Sequence, residues 1–234
     1  MKRLIVSLAC LPACIAQQTQ LNFTGSISGT VVGSDGTVLS GVYVTLAASP
    51  LYPSRNLQTL WAAFSDSSGA FAFTGLYAGT YQLCAQLPRT QWLSPCAWGT
   101  APPVVTLSNI QPTVTLSVVM TKGAVVPIRV NDPQQLLPQN EGITPGAHLL
   151  MGVGHPPFLF DDAYVASQDS GGRTYQVVVP FGFGATLKIY SSFFQLTNAA
   201  GTALPQGATS SIPFSVAAGQ SPPSIVLNVT GGGQ

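Results

Sequence analysis

Ser65-Asp66-Ser67-Ser68-Gly69-Ala70-Phe71-Ala72-Phe73, continued by Leu76 and Gly79-Thr80-Tyr81-Gln82-Leu83, is the stretch on which the fold turns. Its first five residues are turn formers. Asp66 is placed to accept backbone N–H bonds from the residues that follow it. Gly69 is placed to adopt a positive φ without a Cβ penalty. Phe71 and Phe73 then alternate with alanines, the period of a half-buried strand. A second strand follows over 79–83, with Tyr81 and Leu83 on one face. Tyr81 is expected to bury its ring and hydrogen-bond backbone through its hydroxyl. Ala78-Gly79 supplies the turn chemistry between the two strands.

The same period runs outward from these two strands. Ile27, Gly29 and Val31 alternate with Ser28 and Thr30; Val42, Val44 and Leu46 with Tyr43 and Thr45; Val114, Leu116 and Val118 with Thr115 and Ser117. Trp61 alternates with Leu60 and Ala62. No window carries a helical period, so seven short strands in an antiparallel sandwich are predicted for 25–121. The second half reads alike, with strands expected at 124–130, 147–153, 164–168, 174–179, 185–191, 212–216 and 224–229. Three stretches correspond in order: 65–69 with 167–172, 79–83 with 184–189, and 104–118 with 212–229. This predicts a diverged duplication and a second seven-stranded sandwich over 122–230. The short piece 17–24 is a linker and 231–234 a tail.

Only 15 of the 234 residues are charged, 8 Lys+Arg and 7 Asp+Glu, where a typical domain carries roughly a quarter. Hydrophobic residues make up 46%, enough for packed cores and against disorder. Lys and Arg form no cluster, which excludes nucleic acid as a partner. Lys2 and Arg3, the apolar run 4–15 and small residues before Gln17 read as a secretory signal peptide over 1–16. The apolar run is too short to span a bilayer, so no transmembrane helix is expected. Leu11-Pro12-Ala13-Cys14 offers the alternative of a lipid anchor at Cys14, although proline is unusual there. Without residues 1–16 the chain has 6 basic and 7 acidic residues, a formal −1. Its remaining cysteines, Cys84 and Cys96, are expected to form one disulfide in an oxidising compartment. Location is therefore expected to be extracytoplasmic: periplasm, outer surface or medium.

With the string Gly25-Ser26-Ile27-Ser28-Gly29-Thr30-Val31, Asp35-Gly36 and Leu39-Ser40-Gly41-Val42-Tyr43-Val44 ahead of these two strands, residues 25–120 resemble the carboxypeptidase regulatory-like domain. The resemblance implies a prealbumin-like, Ig-like β-sandwich and a non-catalytic module of secreted and surface proteins. Related starch-binding-like sandwiches imply a neutral glycan as one kind of ligand. Residues 122–230 match this pattern less. Leu187 or Thr186 stands where Tyr81 would, and Pro180-Phe181-Gly182-Phe183 replaces the Leu76 turn.

The search for chemistry yields little. There is no HExxH, no nucleophile elbow and no Walker loop. His148 reads as a strand residue, and His155-Pro156-Pro157 as a rigid loop. Asp161 and Asp162 are adjacent, so on a strand they face opposite ways and cannot work as a pair. Asp161, Asp162 and Asp169 lack the dense acidic loop of a calcium site. No catalysis, metal or cofactor is expected. The candidate binding residues are Trp92 and Trp98, which flank Cys96, with Arg89 and Gln91 beside them. Two indoles, a guanidinium and an amide on a disulfide-pinned loop suit the stacking and hydrogen bonding of a sugar. The competing reading is that both indoles cover one end of the sandwich and Cys84–Cys96 holds the cover down.

In the second half Phe158, Phe160, Phe181, Phe183, Phe193 and Phe194 form an aromatic set assigned to the core. Phe193 and Phe194 cannot both face inward on a regular strand. The function expected is a non-catalytic secreted or envelope-associated sandwich protein that binds carbohydrate. The alternative is a structural or protein-interaction module of the cell surface. Oligomeric state, ligand identity and domain orientation are not set by these residues.

Overall fold

The computed structural model describes residues 24–49, 59–98, 102–138, 149–155, 159–218, 220 and 222–232. The signal peptide, the anchor residue Cys14, nearly all of the linker, His148 and Phe158 lie outside the described residues. Among the described residues strands predominate, and helix is confined to a single turn.

The first half contains β1 (Gly25–Gly33), β2 (Tyr43–Ser49), β3 (Leu60–Phe64), β4 (Ala70–Leu76), β5 (Gly79–Gln86), β6 (Trp92–Leu93), the one-turn helix α1 (Pro95–Trp98), β7 (Val104–Leu107) and β8 (Thr113–Lys122). They form two sheets, ordered β4-β1-β8-β6 and β3-β2-β5-β7. Inward residues of both, among them Ile27, Val44, Leu46, Phe71, Phe73, Tyr81, Leu83 and Met120, make one core. The alternation in sequence thus becomes a sandwich, because each strand buries every second side chain.

The second half contains β9 (Ala124–Asn131), β10 (Leu149–His155), β11 (Leu159–Asp162), β12 (Tyr164–Asp169), β13 (Gly172–Val179), β14 (Gly184–Ser191), β15 (Phe194–Asn198), β16 (Ala203–Leu204), β17 (Thr209–Ser215) and β18 (Ile225–Gly232). Its sheets are ordered β11-β10-β14-β17 and β12-β13-β9-β18-β15-β16. A second core, including Val126, Ile128, Tyr175, Val177, Leu187, Ile189, Phe194 and Leu227, lies between them.

The two halves share a seven-strand framework. β4-β1-β8 corresponds to β13-β9-β18, and β3-β2-β5-β7 to β11-β10-β14-β17. In both, the first strand of the half pairs parallel with the last, β1 with β8 and β9 with β18. All three stretches matched in sequence fall on equivalent strands. Three details differ from expectation. The sandwiches are not wholly antiparallel, since first and last strands run side by side in the same direction after the whole chain of each half has wound between them. Among the described residues the first half has eight strands and the second ten, because β6, β12, β15 and β16 add to the framework. The expected tail at 231–234 begins inside β18, whose Gly232 pairs with Phe194.

The deciding turn forms as its residues dictate. Asp66 Oδ1 accepts from the N–H groups of Ser68 and Ala70 and from the Ser68 hydroxyl, at 2.8, 2.9 and 2.7 Å. Gly69 takes φ +75°. The Tyr81 hydroxyl donates to the Tyr77 carbonyl at 2.7 Å while its ring is fully buried. Ser65 adds a bond absent from the sequence reading: its buried hydroxyl accepts from Val42 N–H and donates to the Leu39 carbonyl. Phe194, the first residue of β15, is buried, and Phe193, in the bend just before it, is 39% exposed.

Candidate functional site

Arg89, Gln91, Trp92, Cys96 and Trp98 all belong to the segment between β5 and β7. Thr90 ties its start together, its hydroxyl donating to the Leu87 carbonyl at 2.7 Å and accepting from Trp92 N–H at 3.2 Å. Arg89 takes φ +61°, a left-handed turn residue without the freedom of glycine. β6 then pairs with the end of β8, Trp92 opposite Lys122 and Leu93 opposite Thr121. α1 turns on the Ser94 carbonyl, which accepts from Ala97 and Trp98 N–H. Cys96 of α1 is bonded to Cys84 of β5, with Cα atoms 5.8 Å apart. The disulfide thus fastens α1 onto the outer face of the first sandwich.

The two indoles face different partners. Trp92 is half-buried against the first core. Its six-membered ring lies on Gly33 of β1, where any Cβ would collide with it. Lys122 Nζ sits 5.1 Å from the Trp92 ring centroid and 2.8 Å from Asp35 Oδ2. The Lys122 ammonium, donating to Asp35, holds that carboxyl well below the usual carboxylate range, and Thr37 assists. Trp98 packs instead against the core of the second sandwich. It meets Phe183, in the turn before β14, edge to face at 5.7 Å with planes at 83°.

Other atoms of the segment cross the junction as well. Gly123, the only residue between β8 and β9, donates its N–H to the Gln91 carbonyl at 2.8 Å. A Cβ at Gly123 would stand 2.7 Å from Val178 and from the Val179 carbonyl, and 2.9 Å from Leu93. The Arg89 charge is felt at Tyr164 of β12. Burial pushes the Tyr164 hydroxyl's pKa up, and the Arg89 charge opposes that shift. Tyr164 in turn donates to Gln176 at 3.2 Å. The segment 88–98 is therefore a joint: β6 and the disulfide anchor it to the first sandwich, and Trp98 and Leu93 meet the second.

Of the residues foreseen for sugar binding, Arg89 and Gln91 are exposed and both indoles are half-buried. The structure gives each indole an intramolecular partner, Gly33 and Lys122 for one, Phe183 for the other. The joint was missed in the sequence because Phe183 is 85 positions from Trp98. The available signal was the coincidence of a Trp-rich loop with a Phe-Gly-Phe turn in the partner repeat.

Away from the joint, a polar strip crosses the outer face of the six-stranded sheet. Arg129 binds both oxygens of Asp169 at 2.7 and 2.9 Å and donates Nε–H to Asn131; Asn131 donates to Asn228, and Asn228 toward Thr197. Each member has a partner in the strip. Inside the second sandwich, Asp132 accepts from Leu136 and Leu137 N–H, and Arg173 donates to the Leu137 and Pro138 carbonyls, so this buried pair shapes the loop after β9. His155 lies opposite Leu159, and Asp161 opposite Val153, on the β10–β11 hairpin. Among the described residues no three His, Cys, Asp or Glu side chains are grouped to hold a metal. No helix among them is long and apolar enough to cross a membrane.

The sequence pattern of the carboxypeptidase regulatory-like domain matches residues 26–121. That range coincides with the first sandwich and with the resemblance read from its motifs. A search of curated proteins finds no match. Among solved structures, the chain is similar to a streptococcal ancillary pilin at 14% identity, covering 89% of this chain and 63% of that one, with a TM-score of 0.41. It is also similar to the full-length major pilin SpaD of Corynebacterium diphtheriae (11% identity, 82% and 66% covered, TM-score 0.35). A shaft pilin SpaA double mutant from Lactobacillus rhamnosus GG gives 10% identity, 89% and 98% covered, and a TM-score of 0.33. The chain spans under two thirds of the streptococcal pilin's length.

Proposed function

With residues 26–121 matching the carboxypeptidase regulatory-like domain, we propose that this protein is a non-catalytic, extracytoplasmic module that works through structure and protein contact. The observation that carries this reading is the joint. The disulfide, the one-turn helix and Trp98 connect the two sandwiches, so the disulfide-pinned Trp loop acts within the molecule. A disulfide of this kind belongs to an oxidising compartment. Two sandwiches coupled by a bonded loop hold a fixed spacing between their far ends, which suits a spacer or scaffold.

Carbohydrate binding is the second reading, supported by the exposure of Arg89 and Gln91 beside a half-buried indole. One experiment separates the two. The purified protein and its Arg89→Ala/Gln91→Ala variant are applied to a glycan array, and both are cross-linked to intact envelope fractions. The scaffold reading expects no glycan signal and a defined cross-linked protein partner with either form. A glycan signal lost in the variant would overturn it in favour of carbohydrate binding.

A further inference from the structure

We propose that the paired first and last strands of each half, β1 with β8 and β9 with β18, are load clamps, and that this protein carries tension applied along its chain. This rests on the reading of the protein as a spacer and adds what that spacer withstands.

The load path follows from strand direction. β1 and β8 run side by side in the same direction, with Ser26 to Gly33 in unbroken register against Thr113 to Met120. Tension along the chain enters β1 at its start and leaves β8 at its end. Those two points lie at opposite ends of one ribbon, so the pull slides one strand along the other. The evenly spaced backbone bonds between parallel strands then share the load together. Tension applied at the two starts would instead peel the ribbon and load its bonds one after another. Backbone bonds close both ends of this clamp: Ser26 N–H donates to the Pro112 carbonyl at 2.9 Å and Ser34 N–H to the Met120 carbonyl at 2.8 Å. Midway, Gly29 admits β8 closely, since a Cβ there would run into the Leu116 carbonyl and the Phe71 ring. Side chains add cross-ties. The Ser28 and Thr115 hydroxyls are 3.2 Å apart, and Lys122, past the end of the register, reaches Asp35 at 2.8 Å.

One residue, Gly123, separates β8 from β9, so load leaving the first clamp enters the second at once. β9 and β18 repeat the geometry over a shorter register, Ile128 to Asn131 against Ile225 to Asn228. The polar strip lies over this register. Asn131 donates to Asn228 at 2.9 Å across its last pair, and Arg129, opposite Val226, ties β9 to Asp169 of β12. The strip thus reinforces the clamp with the fewer backbone bonds.

The test is single-molecule force spectroscopy of the full chain in two pulling geometries. One handle is attached at Thr24→Cys. The other is attached either beyond Gly232 or at Ile110→Cys, a position 96% exposed in the turn before β8. The first geometry shears both clamps; the second peels β1 and β8 from their common end. Forced unfolding reads the barrier to opening, so one fold with one thermal midpoint is expected to give a severalfold higher force for the first sandwich in shear than in peeling. Reductant identifies that sandwich in the shear traces. Freeing the Cys84–Cys96 loop lengthens its event by about 35 Å, twelve residues at roughly 3.3–3.6 Å each less the 5.8 Å already spanned. The second sandwich is expected to open at the lower force, and Asn131→Ala to lower that force further while leaving the first event unchanged. Equal forces in the two geometries, a second sandwich that outlasts the first, or an Asn131→Ala trace identical to the wild type overturns the proposal. Equal forces together with a defined envelope partner and no glycan signal overturn the clamps and leave the scaffold reading standing.

Discussion

Trp98, on the helix that Cys96 fastens to the first sandwich, meets Phe183 of the second edge to face at 5.7 Å. The contact joins residues 85 positions apart and couples two cores. Edge-to-face aromatic pairs contribute about 0.5–1.5 kcal/mol beyond the area they bury. Trp98→Ala and Phe183→Ala are each expected to loosen the sandwiches, and a double-mutant cycle is expected to give a coupling of that size. Calorimetry reads the effect as the separation of one unfolding transition into two. Scattering from the folded variants reads it as a broader distribution of end-to-end distances.

The disulfide is expected to stabilise the first sandwich more than the second. Closing a loop of twelve residues is worth about 3 kcal/mol by loop-closure entropy. Cys84→Ser/Cys96→Ser is expected to lower the first sandwich's Tm by roughly 4–8 °C for each kcal/mol lost. Because α1 is released with it, the same variant is expected to weaken the Trp98–Phe183 coupling. A cycle value unchanged in the serine background would show that α1 holds its place without the bond.

Tyr81 offers a test confined to one hydrogen bond. Its ring is fully buried and its hydroxyl donates to the Tyr77 carbonyl at 2.7 Å. Tyr81→Phe keeps the ring and removes the donor, at an expected cost of about 1 kcal/mol. Urea unfolding is expected to show a lower midpoint with an unchanged m value.

Acid is expected to weaken both sandwiches. The Ser68 hydroxyl and the Ala70 and Ser68 N–H groups hold the Asp66 carboxyl below its ordinary value of 3.8; Arg129 does the same for Asp169. A carboxyl depressed in the folded state contributes its stability above the unfolded value and loses it as pH falls through the folded value. Stability is therefore expected to be flat above about pH 5 and to fall below pH 4. Salt separates the shares. Asp169 acts through an ion pair and is expected to matter less in strong salt, whereas Asp66 acts through neutral donors and is expected to matter equally. Urea titrations of Asp66→Ala and Asp169→Ala, with and without salt, check both statements.

Gly123 is expected to be intolerant of any side chain. A Cβ there meets Val178, the Val179 carbonyl and Leu93, so Gly123→Ala must shift backbone at the joint, at about 1–3 kcal/mol. Gly184 has open space around its Cβ position and an ordinary φ, and Gly184→Ala is expected to be neutral or mildly stabilising. Thermal unfolding of the pair gives the contrast.

Period and turn chemistry made most strands legible. β1, β2, β4, β5, β13 and β14 each bury alternate residues along most of their length, and their turns carry Gly or Asp where the backbone needs them. β11 escaped because Leu-Phe-Asp-Asp has no alternation, and β16 because two residues have no period. β15 starts where Ser191 folds its hydroxyl back onto Phe194, accepting from its N–H and donating to its carbonyl, a local device with no sequence period. The candidate site was legible as a set of residues and illegible as an arrangement. Trp92, Trp98, Arg89 and Gln91 were visible as an unusual loop. Which ring each indole would meet depended on Gly33, Lys122 and Phe183, all distant in the chain.

Local chemistry thus settled, from sequence alone, that the chain makes strands, where it turns, that Cys84 pairs with Cys96, and that its two halves repeat one order of elements. Those properties depend on a residue and its near neighbours: a Cβ-free turn, an Asx bond, alternate side chains, two cysteines twelve positions apart. Tertiary structure alone decided that the first and last strands of each half run parallel, that the Trp loop joins the sandwiches, and that β4 and β5, neighbours in the chain, lie in opposite sheets. Each of these depends on which distant surfaces come to lie side by side, and no periodicity along the chain encodes that choice.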